Sequence, residues 1–227
     1  MLLSIPNVLN PEQIKYCRER LASTGWVDGR VTAGYQGYQV KNNQQLPENS
    51  PIAKELGDLI LSAIERHPLF ISAALPLRVY PPMFNCYAEG MYFGNHIDNA
   101  VRIIPNSNGQ KIRTDVSATL FLAEPDEYDD GELLIEDTYG VNAIKLPAGH
   151  MVVYPSTSLH RVSPVTRGAR IACFLWVQSM IRHDAQRSML FDMDTAIQRL
   201  NQTNADEAAR VQLTGCYHNL LRMWADI

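Results

Sequence analysis

The chain of 227 residues, 46% of them hydrophobic, can bury a substantial core without covalent staples. A formal net charge of −4 lacks the basic excess that marks nucleic-acid binding, and no apolar run approaches the roughly 20 residues that a membrane-spanning helix needs. The four cysteines, Cys17, Cys86, Cys173 and Cys216, form no Cys-x-x-Cys pair, which argues against a disulfide framework and a thiolate zinc site and points to a reducing cytoplasm.

The N-terminal stretch MLLSIPNVLN has no basic segment, and Pro6 and Pro11 interrupt its apolar character, so no secretory leader is expected. Asn10-Pro11-Glu12 has the marks of a helix start: a capping Asn, Pro at the first position and an acid in the first turn. Ile14, Cys17 and Leu21 supply its apolar stripe as far as Gly25. Residues 26–46, rich in Gly, Gln and Asn and carrying Trp26, Tyr35 and Tyr38, predict strand and loop. Ile52, Leu56, Leu59, Ile60, Ala63 and Ile64 recur at helical spacing and predict a helix over 52–66, closed by His67-Pro68.

From 79 to 178 the pattern changes to short β-branched, aromatic and alternating runs between Gly, Pro, Asn and Asp clusters. Strands are predicted over 83–87, 116–122, 131–136, 142–146, 150–154, 160–164 and 170–178. So many short strands imply a sandwich or jelly roll, in which sheets protect their edges by folding on each other. Helix then returns: Met189, Leu190, Met193, Ile197 and Leu200 fit one amphipathic helix, with both methionines expected in the core, and 208–224 fits another. The expected organisation is an N-terminal helical and strand region over 1–78, a β domain over 79–178 and a helical extension over 179–227. The last helices can cover the β domain or form a homodimer face, and periodicity leaves both open.

The chemistry-bearing residues lie in the β domain. His96 and Asp98, in GNHIDNA, are one residue apart, so on an extended segment they project to the same side. His160 adds a second histidine, and two histidines with one carboxylate are the facial ligand set that binds non-haem Fe(II) and leaves the opposite coordination face open. Arg170 follows the Thr166-Arg167-Gly168 turn, and a hairpin is expected to bring its strand back beside that of His160. A guanidinium there can grip a carboxylate through two parallel hydrogen bonds, as a dicarboxylate bound to the metal at its other end would require.

The set His96-x-Asp98, His160 and Arg170, on a β domain flanked by helices, resembles the Fe(II)- and 2-oxoglutarate-dependent dioxygenases of the prolyl/lysyl hydroxylase branch. Trp26-Val27-Asp28-Gly29-Arg30, Val40-Lys41-Asn42-Asn43-Gln44-Gln45, residues 114–122, Leu146-Pro147-Ala148-Gly149 and residues 174–182 extend the resemblance to bacterial PKHD-type hydroxylases, a group associated with iron uptake. The resemblance implies an α+β fold with a double-stranded β-helix (jelly-roll) core over 79–178, N-terminal helices and a C-terminal helical extension. It implies Fe(II) on His96, Asp98 and His160, Arg170 on the distal carboxylate of 2-oxoglutarate, and a tyrosine, Tyr87 or Tyr92, on the same co-substrate. The implied reaction consumes dioxygen and 2-oxoglutarate, releases succinate and CO2, hydroxylates an unidentified peptidyl residue or small molecule, and draws on L-ascorbate as reductant. One departure is that Ala172 stands where many relatives carry a hydroxyl residue after the arginine.

Taken singly, these residues have plainer readings: Asp turns loops, His caps them, and most strand arginines pair with surface carboxylates. His67, His150, His183 and His218 are read as surface or capping residues, and the acid-rich run 124–136 as a solvated loop in which Asp129-Asp130-Gly131 is the turn into the strand 132–136. Tyr35, Tyr38 and the polar stretch 41–45 are suited to line a substrate groove. Two other functions share the ligands: a non-catalytic cupin-like module holding a metal or carboxylate, and a zinc hydrolase, which would lack a general base and leave Arg170 without a task.

Overall fold

In the computed structural model, which describes residues 1–203 and 206–227, the first helix runs Pro11–Ala22. The Asn10 side chain accepts from Gln13 N at 2.8 Å and the Gln13 side chain accepts from Asn10 N at 2.9 Å, a reciprocal cap that satisfies two orphan donors. Helix Pro51–Ile64 buries Ala53, Leu56, Ile60 and Ile64 on one face. Pro68 does more than close it: proline occupies the first turn of a further helix, Pro68–Ala74, where its missing N–H has no partner to lose. Between residues 26 and 46 the expected strand and loop give three two-residue strands, Val27–Asp28, Lys41–Asn42 and Gln44–Gln45. They also give a 3-10 turn, Gly29–Thr32, and an unexpected helix, Tyr35–Val40. Tertiary contact sets that helix: a Cβ on Gly37 would meet the Phe93 ring, and Gln36 Nε2 donates to Asn95 O at 2.9 Å.

All the strands pair antiparallel, and two sheets dominate. The larger has nine strands, ordered Leu3–Ile5, Met151–Pro155, Val116–Phe121, Val165–Ser179, Met83–Ala88, Gln44–Gln45 and Val27–Asp28, with Tyr128–Asp130 and Pro76–Val79 also on the long strand Val165–Ser179. The smaller has five, ordered Gly140–Ile144, Leu133–Asp137, His160–Val162, Tyr92–His96 and Lys41–Asn42. A hairpin of Val101–Ile103 and Lys111–Arg113 stands apart. Alternation along the strands divides the core in two. Met151, Val153, Cys173, Leu175 and Val177 face the helices, with Leu21, Leu56, Ile60 and Phe70. Val152, Tyr154, Tyr87 and Phe121 face the smaller sheet, against Leu133, Ile135 and Val162. Each fully buried aliphatic side chain of this kind stabilises the fold by roughly 1.5 to 3 kcal/mol.

The hairpin expected between His160 and Arg170 does not form. His160–Val162 pairs with Leu133–Asp137 and Tyr92–His96, whereas Arg170 belongs to the other sheet and pairs with Tyr87. Thr166 and Gly168 lie inside the strand Val165–Ser179, where Gly168 at φ +72° lets Tyr128–Asp130 approach; a Cβ there would sit 2.1 Å from Glu127 O. Arg170 and the pair His96 and His160 therefore lie on opposite sheets.

The tail forms two helices, Asp184–Asn201 and Glu207–Trp224, joined through Leu190 to Leu75 and Ile181 and flanked by Tyr217, Leu221 and Trp224. Arg187, 2% exposed, donates to Ile181 O at 2.8 Å and Asp184 Oδ1 at 2.9 Å, while Asp226 N donates to Met180 O at 2.8 Å. Met189 is 54% exposed rather than in the core, because the buried stripe of its helix passes through Arg187, Leu190 and Ile197. Among the described residues no helix is long and apolar enough to cross a membrane.

Candidate metal centre and its cavity

His96 ends the strand Tyr92–His96 and His160 opens His160–Val162, and the two are cross-strand partners. Asp98 lies just past the strand end. One donor atom from each of His96, Asp98 and His160 can be chosen so that all lie within 4.8 Å of one another. The histidine Nδ1 atoms are engaged by main-chain carbonyls, His96 with Gly94 O at 2.8 Å and His160 with Ser158 O at 3.0 Å. Those acceptors place the proton on Nδ1 and leave each Nε2 lone pair free for a metal. Burial, then the neighbouring His160, lowers His96 to about 4, which keeps the ring in its neutral, ligating form. Phe93 stacks on His96 with centroids 3.5 Å apart.

Asp98 is held by a short relay that leaves no mark in the sequence pattern. Ser117 Oγ donates to Asp98 Oδ2 at 2.6 Å and lies 2.7 Å from Ser156 Oγ, so the Ser156 hydroxyl donates in turn to Ser117. Ser117 sits in the buried strand Val116–Phe121, and only its neighbours in space distinguish it from any strand serine.

The three side chains open into a cavity of about 150 Å³ that also contains Arg170, Tyr87, Tyr154 and Lys41. Arg170 is 1% exposed, its guanidinium 5.4 Å from the Tyr87 ring centre and 5.1 Å from that of Phe121. Its Nε has no hydrogen-bond partner, and no carboxylate among the described residues forms an ion pair with it. A buried cation left in this way is costly unless an anion joins it. Burial raises Tyr87 to about 12 and Tyr154 well above the usual range, so both hydroxyls keep their protons and can donate to a carboxylate. Tyr92, the other tyrosine candidate, is 40% exposed and lies outside the cavity wall. Of the residues expected to line a groove, Tyr35 and Lys41 line this cavity, whereas Tyr38 and residues 42–45 do not. Tyr154, Ser117 and Arg102 also line it, and their sequence context gives no sign of it.

Two facing antiparallel sheets with a His-Asp-His cluster between them define the class, and comparison agrees. The 2OG-Fe(II) oxygenase superfamily matches residues 82–178, and the PKHD-type hydroxylase C-terminal domain matches residues 184–226. A PKHD-type hydroxylase of Paraburkholderia xenovorans (strain LB400) is 67% identical over 228 residues, covering 100% of both chains. Among solved structures, a Pseudomonas putida prolyl-4-hydroxylase is similar with a TM-score of 0.54 and 21% identity, over 78% of this chain and 92% of that one. HygX from Streptomyces hygroscopicus, crystallised with nickel, 2-oxoglutarate and hygromycin B bound, has a TM-score of 0.53 and 13% identity, over 78% and 82%. At such identities the two structures speak for a shared fold. The chain belongs to the PKHD-type hydroxylases and is a 2-oxoglutarate-dependent hydroxylase, a membership that implies Fe(II) and 2-oxoglutarate.

Proposed function

We propose that His96, Asp98 and His160 hold Fe(II), that Arg170 grips the distal carboxylate of 2-oxoglutarate, and that Tyr87 donates to the same co-substrate. The carrying observation is that one cavity contains three convergent ligand atoms and a buried guanidinium with no carboxylate partner. The donor set fits the metal: two neutral imidazole nitrogens and one carboxylate suit Fe(II) and leave coordination positions open. When bound, iron supplies dioxygen activation coupled to oxidation of 2-oxoglutarate to succinate and CO2, which yields hydroxylated product. The chain's own share is physical. Carbonyls at Gly94 and Ser158 orient the imidazoles, Ser117 orients Asp98, Arg170 fixes the far end of 2-oxoglutarate, and the apolar walls from both sheets exclude water.

The fold is read as a double-stranded β-helix, or jelly roll, with its core over 79–178, a supporting region over 1–78 and a helical extension over 179–227. The hydroxylated group is a peptidyl residue or a small molecule, with a link to iron uptake and a use of L-ascorbate that rest on the family resemblance. The cytoplasm is the compartment favoured by four unpaired cysteines, three of them buried.

The test is anaerobic addition of Fe(II) and then 2-oxoglutarate to metal-free protein, watching for the weak visible charge-transfer band of the chelate. Its appearance in the wild type and its loss in His96→Ala are expected. Wild-type succinate formation by His96→Ala would overturn the ligand assignment.

A further inference from the structure

Beyond the metal ligands the cavity wall carries Lys41 and Arg102, which have no part in the chemistry above. Lys41 is 8% exposed, and its Nζ donates to Thr32 Oγ1 at 3.2 Å and to Gln45 Oε1, both neutral acceptors. Arg102 lies over two rings, its guanidinium 4.3 Å from the Trp176 centre and 4.9 Å from that of Tyr80, which fixes the plane of the fork. Arg102 Nε is a buried donor without a partner. The carboxylate nearest Arg102 is Glu48, 3.7 Å away and one-third exposed. Glu48 is peripheral, Asp28 is paired with Arg30 and Asp98 accepts from Ser117, so two cations at this end of the cavity lack a carboxylate of their own.

That deficit is separate from the one at Arg170. Arg170 and Trp176 lie on the same face of the strand Val165–Ser179, six residues apart. At ~3.3 Å per residue their main chains are about 20 Å apart. Trp176 is opposite Ser117, the residue that holds Asp98, and Arg102 lies over the Trp176 ring, so Asp98 and Arg102 share the end of the strand away from Arg170. A 2-oxoglutarate stretched from the metal to Arg170 points away from Arg102.

We propose that Lys41 and Arg102 form a carboxylate subsite for the primary substrate, so that this hydroxylase acts on a molecule with a free carboxylate near the hydroxylated carbon. The proposal rests on the assignment of the triad and Arg170 given above. The stacked guanidinium offers a planar fork for two carboxylate oxygens, and Lys41 adds a point charge from another wall.

The test uses paired probes: N-acetyl amino acids, each beside its own carboxamide. They are titrated into anaerobic protein loaded with Fe(II) and 2-oxoglutarate and followed by change in the charge-transfer band; a thermal-shift series on metal-free protein runs in parallel. The acids are expected to act at concentrations about tenfold or more below the amides. That preference should fall to near parity in Lys41→Met and in Arg102→Met, whose own 2-oxoglutarate titrations report whether the metal end is intact. Acids and amides acting alike, neither acting while the band is present, or both variants keeping the preference would each overturn the subsite. Absence of the band in wild-type protein that still prefers acids in the thermal series would instead overturn the metal and 2-oxoglutarate assignment.

Discussion

His96 and His160 face each other across paired strands, ring centroids 4.1 Å apart, each anchored at Nδ1 by a carbonyl two residues earlier in its own chain segment. His160 Nε2 lies 3.8 Å from Asp98 Oδ2. Two free nitrogen lone pairs and a carboxylate oxygen directed into one space are poorly matched to one another and well matched to a cation. Metal binding should therefore stabilise the folded state by mass action, by about 2.7 kcal/mol at a hundredfold excess over the dissociation constant. In His160→Ala the metal-dependent rise in melting temperature should vanish along with succinate formation, while circular dichroism stays that of the parent. A metal-dependent shift equal to that of the parent would show that the cation binds elsewhere.

Ser117 acts through Asp98 and is a positioning residue. Removing its hydroxyl frees Oδ2 to rotate and should weaken Fe(II) binding roughly 10- to 100-fold, the usual effect of losing a group that orients a ligand. Ser117→Ala should still fold, because at this buried strand position it removes one oxygen and adds no volume. Ser117→Thr, which retains the hydroxyl, should recover most of the loss. An Fe(II) titration of the three proteins decides it: equal affinities would leave the serine relay with no part in holding the ligand.

Arg170 combines two opposed effects that can be separated experimentally. In metal-free protein it is a buried charge with an unpartnered Nε, so Arg170→Met should leave stability unchanged or raise it by about 1 to 4 kcal/mol, as replacing poorly compensated buried charges often does. The same change removes the proposed clamp on 2-oxoglutarate and should raise the concentration needed for half-maximal succinate formation by the equivalent of roughly 2 to 5 kcal/mol. Denaturant melts beside co-substrate titrations check both. A variant with lower stability and unchanged co-substrate demand would mean that Arg170 serves the fold alone.

Elements with a strong local period were legible in the sequence: the capped helix Pro11–Ala22, the amphipathic helix Pro51–Ile64 and the alternating strand Val116–Phe121 all formed within a few residues of expectation. Elements that exist only through distant partners were not. Leu3–Ile5 becomes a strand by pairing with Met151–Pro155, and Tyr35–Val40 is helical because it rests on Phe93 and Asn95. The site divided in the same way. His96-x-Asp98 carried its own spacing signal, and the structure brings His160 and Arg170 into the same cavity with them. The route differed, because Arg170 arrives from the opposite sheet rather than along a hairpin. Ser117, Tyr154 and Arg102 could not be distinguished in the sequence, since their surroundings are made entirely by residues far along the chain.

Lys41 offers a readout that needs neither metal nor substrate. Burial, and secondarily Arg102, holds it down to about 8 from an ordinary value of 10.5. Below pH 8 the amine is charged in both folded and unfolded chains, and the desolvation penalty is present in full. Between about pH 8 and 10.5 the folded chain has released a proton that the unfolded chain still binds, so stability contributed at this position rises with pH across that window. At about 1.4 kcal/mol per pKa unit the rise is at most roughly 3 kcal/mol. Other titrating groups contribute to both proteins and largely cancel when the wild type is compared with Lys41→Met. The expected outcome is that the stability of the wild type relative to this variant climbs from pH 7 to pH 10.5 in urea melts. A flat difference would mean that the amine is solvated and that the outer end of the cavity is wet, which would remove the electrostatic reason for a carboxylate to bind there.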